Sequence, residues 1–263
     1  MLQNHVRIIT TAFSGARGIK MKVMAVVSSE TLFHYTSSLK IVKDILKCKG
    51  FWPKYCIEYG WDCYFAVPMC CFCDIPLSLI NSHMETYGHF GIGMSKKWGI
   101  DKGLSPVMYL VKTSYYGKIL KNRYRKICKE KMLEKIRRRL ALMKVYEGVN
   151  YRKDETVKDK PKQINNYKYY NEREWRFVPK LEKTEDYVIP IEKNGENASD
   201  LSENTKDKMC SFEYGDIKYI IVDKQDDKLS LMKYIGALSD CGNEEKEELC
   251  SKIMVWDIIK NDI

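Results

Sequence analysis

The chain of 263 residues is 44% hydrophobic and 30% charged, enough apolar material for one sizeable core but not for a multidomain array. Its longest apolar runs, residues 23–27 and 65–72, fall well short of the roughly 20 residues that cross a bilayer, which excludes a membrane span. Formal net charge is +10, and fibrous or wholly disordered classes do not fit this composition.

Ten cysteines on a long, lysine-rich chain without a secretory leader suit reduced thiols in a cytoplasmic protein, not a disulfide framework. Cys70, Cys71 and Cys73 form the tight group. No second Cys/His pair stands at zinc spacing from them, so they read as buried free thiols and no metal is expected.

In chain order, residues 1–29 hold no acid and carry Arg7, Arg17, Lys20 and Lys22. Internal Met21 and Met24 mark this stretch as an N-terminal extension from an upstream start, poorly ordered and without a catalytic role. Residues 30–263 then form a single domain. A short strand at 31–34 precedes a helix capped by Thr36 or Ser37, with apolar positions Leu39, Val42, Ile45 and Leu46 and a stop at Gly50. An aromatic loop spans 51–64, a buried strand with Pro68 inside it covers 65–72, and 77–87 is helical. A glycine-containing strand follows at 89–94, Ser95 caps a helix to Ile100, and 107–111 is a strand.

Between Gly117 and Val145 the sequence places twelve Lys or Arg against Glu130 and Glu134, so this segment carries the whole charge excess. Apolar residues recur there every three to four positions, which predicts one long amphipathic helix over 117–145 with a basic outer face. Arg125, Lys129, Arg137, Arg138 and Arg139 are its candidate contacts to a nucleic acid or an acidic partner protein. Flexible loops are expected at 147–168 and 192–210, strands at 174–179, 187–191 and 217–222, a helix from Asp226 or Asp227 to Leu238, and an acidic helix capped by Asn243. A terminal strand covers 253–259. The irregular alternation implies an α+β, single mixed domain around a partly antiparallel sheet.

Glycine-rich phosphate loops, HExxH and GxSxG are absent from the sequence. Three weaker groups carry the candidate chemistry. His34, Tyr35 and Thr36 stand at a strand end, where side chains reach into clefts. Glu172 and Glu174 lie two apart in an expected strand, which places both carboxylates on one face and splits their acidities. Asp74 opens the turn after the cysteine strand and can cap the next helix, while Gly91 and Gly93 would admit a close ligand or backbone.

On residues 32–50 (LFHYTSSLKIVKDILKCKG), 65–112, 170–179 (YNEREWRFVP) and 217–222 (IKYIIV), the chain resembles the AbiGi family of bacterial abortive-infection, phage-resistance proteins. That resemblance implies one component of a toxin–antitoxin-type system, with a toxin or antitoxin protein as cognate partner. The FHxT strand, the VPxxxF strand and the acidic EW strand are also similar in layout to DarT-type ADP-ribosyltransferases. This second likeness implies NAD as substrate, with His34, Tyr35 and Thr36 holding it and Glu174 and Glu172 as catalytic carboxylates. The alternative is a non-enzymatic antitoxin, or a nucleic-acid-binding module, working through the basic helix.

Overall fold

The computed structural model describes residues 28–61, 63–127, 134–152, 162–191 and 203–260. Residues 1–27 and the expected contact Lys129 lie outside them. The chain enters through β1 (Thr31–Thr36) and α1 (Leu39–Cys48). The capping hydroxyl is Ser38, one or two residues beyond those expected, and it accepts from the Ile41 N–H at 3.4 Å. Lys49, with φ +48°, ends the helix one residue before the predicted stop at Gly50, which instead begins a strand.

Residues 51–64 are not a loop. β2 (Gly50–Phe51) and β3 (Lys54–Gly60) occupy them, and β3 pairs antiparallel with β4 (Cys63–Cys73) from Lys54↔Met69 to Gly60↔Cys63. The β-forming Tyr55, Ile57 and Tyr59 favour this, and an adjacent strand decides it. α2 (Asn81–Tyr87), β5 (Phe90–Ser95) and α3 (Lys96–Asp101) follow, the last capped by Ser95 as predicted.

After β6 (Ser105–Pro106) and β7 (Met108–Leu110), the basic segment departs from expectation. It comprises α4 (Tyr115–Ile127) and α5 (Glu134–Leu140), with 128–133 outside the described residues, and it is not helical to 145. Met143–Val145 is instead β8, pairing parallel with β7, so strand pairing overrides a helical spacing that the sequence continues. Part of the expected loop over 147–168 is likewise β9 (Gly148–Arg152) and β10 (Lys162–Tyr167), which pair antiparallel.

β11 (Glu174–Phe177) and β12 (Ile189–Ile191) precede the expected loop over 192–210, of which only 203–210 is described. Its end is held down: Thr205 is buried and donates to the Pro53 carbonyl, and β13 (Cys210–Ser211) pairs with β2. β14 (Ile217–Val222) matches its predicted span. α6 (Gln225–Gly236), α7 (Asn243–Ser251), β15 (Ile253–Val255) and α8 (Trp256–Ile259) complete the chain, so a helix takes over after Val255 where a strand was expected.

Among the described residues the main sheet runs β15-β14-β5-β1-β4-β11-β6, with β3 and β12 also on β4. Its pairings are antiparallel except β14 with β15, which establishes the mixed α+β class with a central, mostly antiparallel sheet. One sheet face buries Leu32, Phe72, Ile92 and Met94 against Val42, Leu46, Trp98, Leu231 and Ile235. The opposite face carries Phe33, Cys73 and Ile221, covered by Ile80, Met84 and Trp256.

Candidate functional site

Strand register decides which candidate residues meet. Phe33 and Glu174 both lie opposite Cys73, so their side chains share the second face of the sheet. His34 therefore points to the first face, away from Glu174. There its ring packs against Phe51 and Phe72, with centroids 5.0 and 5.5 Å away, and Nδ1 lies 2.8 Å from the Cys71 carbonyl. A carbonyl only accepts, so Nδ1 carries the proton. Burial lowers the imidazole pKa below its usual value, against the opposing hydrogen bond. Thr36 is buried by the same alternation. Of the expected trio, Tyr35 alone lines a cavity with the two glutamates.

Glu172 and Glu174 do come together, though not as neighbours on a strand. Glu172 ends a short 3-10 turn, Tyr169–Glu172, and Arg173 with φ +45° turns the chain before β11 begins. Both carboxylates are buried and accept from the Lys144 ammonium, at 2.8 and 3.0 Å. Tyr87 donates to the other Glu172 oxygen at 2.7 Å.

Arg176, 0% exposed, completes the cluster. Its Nε and Nη2 donate to the two oxygens of Glu174 at 2.8 and 3.0 Å, Nη1 donates to the Ala141 carbonyl at 2.8 Å, and Nη2 also bonds Glu58. Lys144 lies 3.4 Å from the same Glu58 oxygen. Burial pushes the Glu174 carboxyl up, yet Arg176 and Lys144 outweigh it and hold the group well below the usual carboxylate range. Burial likewise disfavours charged Lys144, but Glu172, Glu174 and Glu58 raise it well above an ordinary lysine.

Glu58, Lys144, Glu172 and Glu174 line a cavity of about 290 Å³ with Tyr35, Tyr59, His83, Tyr87, Tyr169 and Asn150. Cys56 and Cys71 also face it, and a mutual hydrogen bond lowers the first thiol and raises the second. Gly91 and Gly93 make room for protein instead of ligand. A β-carbon there would come within 2.9 Å of the Tyr35 ring and 2.8 Å of the Phe33 ring, so bare backbone lets the two aromatics lie over β5. Asp74 accepts from Ser28, Ser29 N–H and Lys96, and so anchors the start of the domain instead of capping a helix.

Sequence reasoning missed Glu58, Lys144 and Arg176. Arg176 follows Glu174 by two in a strand, and that same-face spacing was a usable signal. The basic candidates divide as well. Arg137 is buried and donates to the Val188 carbonyl at 3.2 Å, so it supports packing and presents no surface charge. Arg138 and Arg139 are exposed, as are Lys118 and Arg123 on α4. Arg125 lies on α4.

A mixed α+β domain enclosing a buried ion cluster is the class that fold and site define. The family model described as abortive phage resistance protein AbiGi, antitoxin, matches residues 55–223. An abortive phage resistance protein AbiGi from Lactococcus lactis subsp. cremoris is 30% identical over 221 residues, covering 74% of this chain and 88% of that protein. The chain belongs to the AbiGi family of abortive phage resistance proteins. No solved structure matches it, and the likeness to DarT-type transferases gains no support from these comparisons. Among the described residues no helix is long and apolar enough to cross a membrane.

Proposed function

We propose that this protein serves abortive phage resistance as an antitoxin that neutralises a cognate toxin by binding it, not by ADP-ribosyl transfer. The description of its family as an antitoxin supports the role. The observation that carries the binding mode is the saturation of Glu174, whose two oxygens are held by Arg176 and Lys144. A transferase carboxylate must face a developing ribosyl cation, and this one already faces two fixed cations. His34 lies on the other side of the sheet and does not share the cavity with Glu174, and about 290 Å³ is small for a dinucleotide.

The contact surface in this reading is the outer side of α4 and α5. Lys118, Arg123, Arg138 and Arg139 are exposed there, and Tyr115 and Tyr116 stand 74% and 67% exposed at the start of α4. A cationic surface with aromatic anchors complements an acidic patch on a partner protein. Reversing Lys118, Arg123, Arg138 and Arg139 to Glu should abolish capture of the toxin and protection from it. Retained protection in that variant would refute the surface.

The transferase reading has its own test: incubation with labelled NAD and cell lysate. No label transfer is expected. Transfer that disappears in a folded Glu174→Gln variant would establish the enzyme instead. Salt-steep retention of the chain on DNA or RNA, lost with the same four reversals, would redirect the surface to nucleic acid.

A further inference from the structure

The cavity under β4 has two properties that the ion cluster alone does not require. Among the described residues its carboxylates Glu58, Glu172 and Glu174 outnumber by one the cations paired with them, Lys144 and Arg176, of which Lys144 lines the cavity. Lys112 stands nearby, 5.8 Å from the centre of the Tyr59 ring, but makes no ion pair with the three carboxylates. Independently, the Tyr35 hydroxyl is sealed from solvent and has no hydrogen-bond partner, in a side chain that lines the same cavity. A buried hydroxyl left unpaired is costly, and a partner that arrives with a ligand removes the cost.

Tyrosines supply much of the wall: Tyr35, Tyr59, Tyr87 and Tyr169. Such faces attract cations, and one example is already present, since Lys144 Nζ lies over the Tyr169 ring at 4.7 Å. Among the described residues no group of three His, Cys, Asp or Glu side chains is placed to hold a metal ion, so an organic cation suits these walls. A volume of about 290 Å³ accommodates a charged head and a short alkyl chain.

The geometry points to this cavity as a binding site for a small organic cation, an alkylammonium or guanidinium group, received by the surplus carboxylate and the Tyr35 hydroxyl between tyrosine rings. The group belongs either to a free small molecule or to a Lys or Arg side chain of a bound protein. The site does not depend on the antitoxin reading, because it lies inside the sheet face and not on α4 or α5.

Isothermal titration of the full chain tests it with agmatine, n-butylammonium, the neutral n-butylurea, the anion butyrate, and a blocked Gly-Arg-Gly peptide. Saturable binding of agmatine or n-butylammonium at one site per chain is expected, with none of n-butylurea or butyrate. Binding of the peptide alone would assign the cation to a partner's side chain, and also supports the site. Tyr35→Phe should weaken the bound cation about fivefold, the worth of one hydrogen bond. Glu58→Gln should reduce binding below detection. Should Glu58→Gln not fold, Tyr35→Phe decides, because that hydroxyl has no partner to lose. Equal binding of cation and neutral isostere, binding of neither cation nor peptide, or unchanged affinity in folded Tyr35→Phe would each overturn the proposal.

Discussion

The cluster beneath β4 and the basic helices α4 and α5 use the same side-chain chemistry in opposite surroundings. Arg176 is fully buried, with its guanidinium bonded to Glu174, Glu58 and the Ala141 carbonyl. Arg138 and Arg139 are open to water, and Arg138 lies over the face of Tyr187, 6.0 Å from its centre. Arg137, in the same run of three arginines, is buried and bonded to a carbonyl. Position relative to the core thus decides whether a charge organises the fold or remains available to a partner. The difference follows from solvation, since a buried ion costs several kcal/mol unless paired, whereas an exposed ion needs no partner.

The sharpest way to break this contrast is to remove one member of the buried set. Arg176→Met leaves the Glu174 and Glu58 carboxylates in a dry site with one fewer cation, and should cost about 3–5 kcal/mol in urea denaturation. Arg176→Met combined with Glu174→Gln should recover part of that loss, because one of the two stranded charges is gone. Simple addition of the two effects would show that the pair does not act as a unit. Lys144→Met leaves the Arg176–Glu174 fork intact but takes from buried Glu172 its paired cation, so a loss of about 3 kcal/mol, at the low end of the same range, is expected.

The pH dependence of stability separates the two faces of the sheet. His34 is held neutral, its pKa below the ordinary 6.5, so its contribution is present above that pH and is lost as pH falls below it. Glu174 is depressed from 4.5, so its contribution persists to lower pH and fades only below that value. Denaturation midpoints should fall in two stages on acidification. His34→Gln, which can still donate to the Cys71 carbonyl, should remove the first stage alone, at a slope of at most about 1.4 kcal/mol per pH unit. An unchanged first stage in this variant would place the titrating group elsewhere.

Much of the scaffold was legible because its signals are local. A run of β-forming residues marks β14, the cap Ser95 marks α3, and the apolar spacing of Val42, Ile45 and Leu46 marks α1. Two of the misreadings come from strand pairing, with a distant segment in one case and with the next strand in the other. β8 keeps a helical spacing yet pairs with β7, and β3 exists because β4 lies beside it. The site was half legible for the same reason. Glu172 and Glu174 announce themselves as neighbours in sequence, but Glu58 and Lys144 arrive from β3 and β8, and no local pattern brings them to those carboxylates. His34 and Glu174 were expected to share a cleft, but strand register sends them to opposite faces.

The smallest expected effect bears most closely on the cavity. Tyr35→Phe removes a buried hydroxyl that bonds to nothing, in a ring stacked with Phe33 at 5.8 Å and wedged over the bare backbone of Gly91. Deleting an unpaired buried polar atom relieves a desolvation cost and leaves the ring contacts in place, so stability should stay within about 0.5 kcal/mol of the parent or rise. Gly91→Ala provides the contrast, because its new methyl would press on the same ring and should destabilise the chain by about 1–3 kcal/mol through overpacking. A substantial loss in Tyr35→Phe would mean that the hydroxyl already has a partner, such as an ordered water, which would remove one of the two supports for a cation site.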